Sequence, residues 1–276
     1  MGPYRHQGIY RYGPKDHRPV AITDDEGDMR YGNFIPDKKR ERLISIHEDH
    51  TVEGEARNTI VSIAMNGKGA KRDLTFGADF YSSPVLSPSD DVLAWVQWNH
   101  PNMPWDETEL WIADITTEGM LANQRKIRGN LGESICHPLW SPDGILHFIS
   151  DSNGWWNIYR IEEEHTINVT PVEAEFTQAQ WGLGSLCYGF TDKHTIAGAM
   201  NKQGLWELLK IDIASKKFKK ISPEISDIGR SGIKVGNNTI VFEGARASES
   251  FSVFVHKAQE GIIKFTHDDI NEIPRH

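Results

Sequence analysis

Two stretches decide how this sequence is read: SSPVLSPSDDVLAWVQW, Ser82 to Trp98, and CHPLWSPDGILHFISD, Cys136 to Asp151. With Pro84 set against Pro138, the tetrapeptides SPSD at Ser87 and SPDG at Ser141 fall into register, 54 residues apart. Each copy runs from a short apolar segment, through a turn carrying Pro and Asp, into an apolar strand. A weaker copy, RYGNFIPDKKRERLISIHED, starts at Arg30, again 54 residues before Pro84. Two more begin at Gln178 (QAQWGLGSLCYGFTDKHTIAGAM) and at Ser231 (SGIKVGNNTIVFEGA). Self-similarity at a roughly fixed period of about 40 to 55 residues marks an array of like units.

Four strands can be read in each unit. In the second they are residues 84–86, 92–98, 109–115 and 124–128; in the third, HPLW, ILHFIS, NIYRI and TINVT. Turn residues separate them, the strand segments favour Val, Ile, Tyr and Trp, and no long amphipathic helix pattern occurs. The expected fold is therefore all-β: a β-propeller of four-stranded antiparallel blades. A β-sandwich also spaces short strands evenly, but has no reason to repeat its turn chemistry. The blades are placed at residues 29–80, 81–133, 134–176, 177–226 and 227–270. Before them, residues 8–28 hold GIYRYG and RPVAIT, which read as the outer two strands of an earlier blade. The expectation is one propeller domain, or part of one, across residues 1–276: five blades and a partial one, an incomplete ring. Open blade edges invite pairing with other chains, so self-association is expected.

Bulk properties narrow the function. A net charge of -9 argues against a nucleic-acid partner, because phosphate binding needs an excess of Lys and Arg. No apolar run approaches the roughly 18 residues of a membrane span, and MGPYRHQGIYRYG has no signal-peptide apolar region, so no membrane association is expected. Cys136 and Cys187 are too few for a disulfide framework, which places the chain in the cytoplasm with both thiols reduced.

The stretch NHPNMPWDETELW, Asn99 to Trp111, is too aromatic for an ordinary solvated hairpin loop. In a four-stranded blade the connection between the second and third strands opens on one face. HEDHTVEGEARN, SDSNGWWN, NKQGLW and GARASES occupy the same connection in the other blades. Trp98, His100, Met103, Trp105, Trp155, Trp156 and Trp206 are thus expected on or near one face. Aromatic and Met side chains gathered there suggest a docking or binding surface; the other reading is that they wedge gaps between blades. Glu53, Glu55 and Arg57 are the charged groups best suited to a peptide terminus: a carboxylate for an ammonium, a guanidinium for a carbonyl or carboxylate. Asp106 and Glu109 read as capping or pairing within the loop, and Asp143 and Gly144 as turn residues.

No nucleophile elbow G-x-S-x-G occurs; GESIC around Ser134 lacks the second glycine, and GRSGI around Ser231 is out of phase. The βαβ alternation of a hydrolase is missing too. No catalytic residue is assigned. HEDH, His47 to His50, has the wrong spacing and a strand-like context for a zinc helix, so neither a metal nor a cofactor is expected.

DFYSSPVLSP, NHPNMPWDETELW, HEDHTVEGEARNT, SDSNGWWNIYRI and VEAEFTQAQWGLG together resemble the propeller of prolyl-oligopeptidase-type serine peptidases, in the acylaminoacyl-peptidase or dipeptidyl-aminopeptidase-like branch. The resemblance runs from about Gly8 to the C-terminus. It implies a propeller that caps an α/β-hydrolase domain carrying a Ser-Asp-His triad, with the loop face turned toward that domain. The chain departs from the family pattern at both ends: earlier blades are missing, and HDDINEIPRH falls about where the hydrolase should begin. The implied function is gating, admitting peptides to a hydrolase domain carried by a longer parent chain. The alternative is a stand-alone propeller that binds a peptide or protein through its aromatic loop face. A propeller enzyme with a metal site on its inner strands is disfavoured, because FIP, PVLS, PLWS and AQWG are largely apolar.

Overall fold

The computed structural model describes residues 7–14, 16–23, 28–67, 71–222, 225–236, 238–258 and 260–265. The C-terminal HDDINEIPRH and the expected blade limit at residue 270 lie outside these. Short β1 (Tyr10–Arg11) and β2 (Val20–Ala21) pair antiparallel as a two-stranded sheet. Twenty further strands make five four-stranded sheets, each with its strands adjacent in chain order. The first holds β3 (Met29–Asp37), β4 (Arg42–Asp49), β5 (Arg57–Ala64) and β6 (Arg72–Thr75). The second holds β7 (Phe80–Leu86), β8 (Val92–Trp98), β9 (Glu109–Ile115) and β10 (Leu121–Arg128). The third holds β11 (Ile135–Trp140), β12 (Leu146–Ser150), β13 (Asn157–Glu162) and β14 (His165–Asn168). The fourth holds β15 (Tyr188–Asp192), β16 (Thr195–Lys202), β17 (Leu205–Asp212) and β18 (Phe218–Ser222). The fifth holds β19 (Asp227–Gly236), β20 (Thr239–Ala245), β21 (Ser252–Lys257) and β22 (Gly261–Lys264). Blades of four antiparallel strands, without an α-helix among the described residues, are the propeller architecture read from the repeat.

The chain divides into two compact units, Met1–Trp140 and Ser141–His276. In the first, Ile44, Ile46, Ile60 and Leu74 of one blade pack on Tyr81, Leu93, Trp95 and Ala113 of the next. The opposite face of β5, Val61 and Ile63, is covered by Ile9 and Ile22 beside the two-stranded sheet. In the second unit Ala197, Ala199 and Leu208 meet Ile233, Ile240, Phe242 and Phe254. Alternation along β5 thus places Ile60 toward the next blade and Val61 and Ile63 toward the two-stranded sheet.

The repeated turn has a repeated chemistry. Ser87 N–H donates to Val92 O at 2.9 Å, and Val92 N–H returns to Ser87 Oγ at 3.1 Å. Ser141 N–H donates to Ile145 O at 2.9 Å, and Ile145 N–H returns to Ser141 Oγ at 3.0 Å. Asp90 (φ 59°) and Gly144 (φ 86°) take the left-handed conformation at equivalent positions, each donating its N–H to the serine carbonyl. Asp143 accepts the Ser141 hydroxyl, which holds its carboxyl below the usual range.

A second repeated geometry sits in the inner strands. Asn33 (φ 49°), Ser83 (φ 52°) and His137 (φ 50°) are all left-handed, which is uncommon for residues other than glycine. Asn33 and Ser83 each lie where the pairing register shifts, and the Asn33 side chain accepts the Ser83 N–H at 2.8 Å. This pair corrects the register of the first copy: it matches the second at a separation of 50 residues rather than 54. The turns that follow are equal in length, since Pro36 pairs with Leu43 as Leu86 pairs with Leu93.

One expected inner strand is also corrected. AQWG, at 179–182, is not strand; the inner strand of the fourth blade is β15. Trp181 there is exposed, Gly184 has φ +83°, and the chain re-enters the unit at Leu186, which bridges Gly232 in parallel. Only glycine fits at 232, since φ is +67° and a Cβ would sit 2.1 Å from Leu186 O.

Candidate functional site on the blade-connecting loops

The β8–β9 connection is pinned at its base. His100 N–H donates to Asp79 Oδ2 at 2.9 Å, while Asp79 N–H donates to Asn99 Oδ1 at 2.8 Å. Phe80 stacks on Trp98 with ring centroids 5.3 Å apart and meets His100 edge-on at 4.9 Å. Further along, Met103 N–H donates to Asp106 Oδ2 at 2.9 Å, and Ser134 Oγ donates to Pro104 O at 2.8 Å. Asp106 does pair within the loop, as its position suggests. Glu109 pairs from its strand instead, accepting Trp111 Nε1 at 2.8 Å and Lys126 Nζ at 3.0 Å. Met103 stays exposed and Trp105 half-buried.

The β4–β5 connection, residues 50–56, leans on this loop. His100 Nε2 lies 2.7 Å from Glu55 Oε2, so two residues singled out from sequence, 45 positions apart, are brought together. Arg57 turns away from them. Its guanidinium is 3.7 Å from Asp49 and 3.9 Å from Asp73. Glu53 stands exposed in the loop. Asp49 also accepts both the hydroxyl and N–H of Thr51, hydrogen bonds that keep its carboxyl below the usual range.

The HEDH histidines serve separate partners. His50 pairs with Glu48 at 2.9 Å, whereas His47 is buried on β4. Lys71 Nζ donates to His47 Nε2 at 2.6 Å, and burial followed by the Lys71 charge pushes the imidazole down to about 4. Among the described residues no group of three or more His, Cys, Asp or Glu is placed to hold a metal ion.

Between the two ends of the β8–β9 loop lies a cavity of about 220 Å³. Trp98, Asn99, His100 and Asn102 wall one side and Glu107, Thr108 and Glu109 the other. Thr108 is fixed by exchange of hydrogen bonds with Ile135, and Glu107 Oε2 accepts the Gly132 N–H at 2.9 Å. Asn102 and Glu107 carry no signal in the repeat, since the loop has no counterpart of its length in another blade.

In the second unit, Trp155 is exposed and Trp156 half-buried in the β12–β13 connection. Trp156 N–H donates to Glu175 Oε2 at 2.7 Å, and Glu175 exchanges backbone hydrogen bonds with Asn201 at the end of β16. Burial raises the Glu175 carboxyl above its ordinary value. Sequence reasoning passed over Glu175, which ties the two connections of this unit together. Trp206 is a correction: it is buried in the core with Leu208 and Phe254 rather than set on the loop face.

A puromycin hydrolase complexed with PGG matches at TM-score 0.87 and 25% identity, over 94% of this chain and 42% of its own. A Mycobacterium tuberculosis puromycin-hydrolyzing peptidase matches at TM-score 0.87 and 29% identity, over 95% of this chain and 42% of its own. This chain is similar to the propeller portion of prolyl-oligopeptidase-type peptidases. Prolyl oligopeptidase B from Galerina marginata shares the fold, with TM-score 0.66 and 9% identity over 89% of this chain and 34% of its own. The chain therefore spans less than half the length of the peptidases it matches. Neither a protein-family model nor a curated protein sequence matches it. No helix among the described residues is long and apolar enough to cross a membrane.

Proposed function

We propose that this chain acts as the propeller of a serine peptidase of the acylaminoacyl-peptidase or dipeptidyl-aminopeptidase-like kind, working in the cytoplasm and admitting peptides to an α/β-hydrolase domain. The observation that carries this reading is the likeness to two puromycin-hydrolyzing enzymes across nearly the whole of this chain. The loop geometry supports it. Glu53, Glu55, His100, Met103 and Trp105 lie on two connections of the first unit that meet at the Glu55–His100 contact. Trp155 and Trp156 occupy the corresponding connection in the second. The first set offers carboxylate, imidazole and aromatic groups, and the second two indoles, of the kind that grip an extended peptide. In this reading Glu55 and Glu53 take an ammonium, and Arg57 takes a carbonyl or carboxylate.

The test starts from the native transcript, read through both ends of this frame. A frame that continues into a G-x-S-x-G hydrolase is expected. In that full protein, Glu55→Gln should raise KM for peptides while leaving kcat near its original value, the pattern of lost substrate binding. A transcript that begins and stops with this chain would overturn the gating role. It would favour a propeller that binds a peptide or protein in its own right, for which the exposed Met103 and Trp155 are the supporting observation.

A further inference from the structure

We propose that the cavity of the β8–β9 loop is a binding site for an organic cation, an ammonium or guanidinium on a short alkyl stem. The inference rests on the reading of this face as peptide-facing and adds the chemistry it selects. The loop borders about 220 Å³ of partly open space, with Thr108 and Trp98 among the lining residues held by their neighbours. The lining carries two carboxylates, Glu107 and Glu109, and neither a Lys nor an Arg. Lys126, outside the lining, balances Glu109. Glu107 is differently placed: its Oε2 is held by the Gly132 N–H, and its Oε1 has no partner among the described residues. The Asn102 side-chain amide is likewise without a partner among them. Trp98 supplies an indole wall, held in place by stacking on Phe80.

Each class of guest can be weighed against that lining. An anion would meet the Glu107 charge with no guanidinium or ammonium to answer it. A purely apolar guest would strip water from Glu107, Asn99 and Asn102 and return no hydrogen bond, a cost of kcal/mol order for each group. A cation satisfies the carboxylate and the Asn102 carbonyl oxygen together, and its alkyl stem and charge suit the face of Trp98. The chemistry has two sources in a peptide, a basic side chain or the terminal ammonium.

The experiment uses n-butylguanidinium and n-butylammonium as probes and neutral n-butylurea as the isostere, followed by the NMR shift of the Trp98 indole N–H. Millimolar binding of both cations, and binding of the urea weaker by roughly tenfold or more, is expected. Glu107→Gln, whose amide oxygen can still accept the Gly132 N–H, should weaken the cations by a similar factor, while Glu118→Gln in the distant β9–β10 turn should not. Equal binding of urea and cation, or unchanged affinity in a Glu107→Gln protein that melts as the parent does, overturns the proposal. Two peptides then compete with the probe: an N-acetylated one carrying an internal Arg, and one with a bare terminus and no basic residue. Displacement by the first assigns the site to a side chain, and by the second to a terminus. Cations that bind but are displaced by neither peptide uphold the pocket and remove the peptide-facing reading. Peptides that shield residues 99–108 without any cation binding do the reverse.

Discussion

Arg42 Nε donates to Asp37 Oδ2 at 2.7 Å, and both side chains are withdrawn from solvent. The same guanidinium reaches across to the Gly119 carbonyl at 2.5 Å and to Ser62 Oγ at 3.3 Å, so one side chain joins the β3–β4 turn to the β9–β10 turn of the next blade. Removing only the acid strands a buried charge. Asp37→Ala is expected to lower stability by about 3–5 kcal/mol, whereas replacing both partners by apolar residues of similar volume should cost far less. Urea midpoints of the two single variants and the double variant supply the check.

Glu55 and His100 make the opposite kind of pair, short but solvent-exposed. Exposed ion pairs contribute little to global stability. Glu55→Gln should leave the melting temperature within error, yet hydrogen exchange at residues 51–56 should quicken, because that loop loses its tie to the neighbouring connection. A large drop in melting temperature would show that the contact belongs to the core network instead.

Acid should destabilise the protein through His147. Its ring is buried between β12 and the edge of Phe190, with Nδ1 donating to Ile145 O at 3.1 Å. Burial pushes it down to about 4 from 6.5. In the folded chain the imidazole therefore stays neutral, while the unfolded chain takes up its proton near 6.5. Stability is full above that pH, declines as the pH falls toward 4, and levels off below; the total is about 3 kcal/mol. His47 adds a loss of the same sign. Denaturation at pH 7 and pH 5 should differ, and His147→Leu should flatten the difference in part.

Gly232→Ala tests how the second unit re-enters its sheet after the exposed 179–185 segment. The added methyl would collide with Leu186 O in a backbone conformation already unfavourable for alanine. A loss of at least about 1–3 kcal/mol is expected, read by thermal melting. Gly54→Ala, equally left-handed but in open space, should lose less.

Much of the fold was written in the chain where local chemistry alone determines it. β8 and β9 start and stop at the residues the sequence indicates, because Val, Trp and Leu alternate between clear turn signals. The serine turns at 87 and 141 are legible for the same reason. The fourth blade was not: AQWG has strand-like residues, but the parallel bridge from Leu186 to Gly232 is a non-local contact that no window reveals. The site divides the same way. Aromatic loop residues announce themselves by composition, while Glu107 and Glu175 owe their settings to Gly132 and Trp156, partners 25 and 19 positions away. The nearness of Glu55 and His100 was within reach, since equivalent connections of successive blades are natural neighbours.

The matching turns at Ser87 and Ser141 bear on how such a chain can grow. Each closes on itself through its own hydroxyl and carbonyl, the second in one residue fewer, so the backbone enters both in the same way. A genetic duplication or deletion whose two breakpoints fall at these serines would splice one hairpin onto the other without a new loop conformation. The seam of such an event would be invisible in the fold. It would carry with it a whole connecting loop from the far end of the hairpin, so such loops can be exchanged as cassettes rather than rebuilt residue by residue.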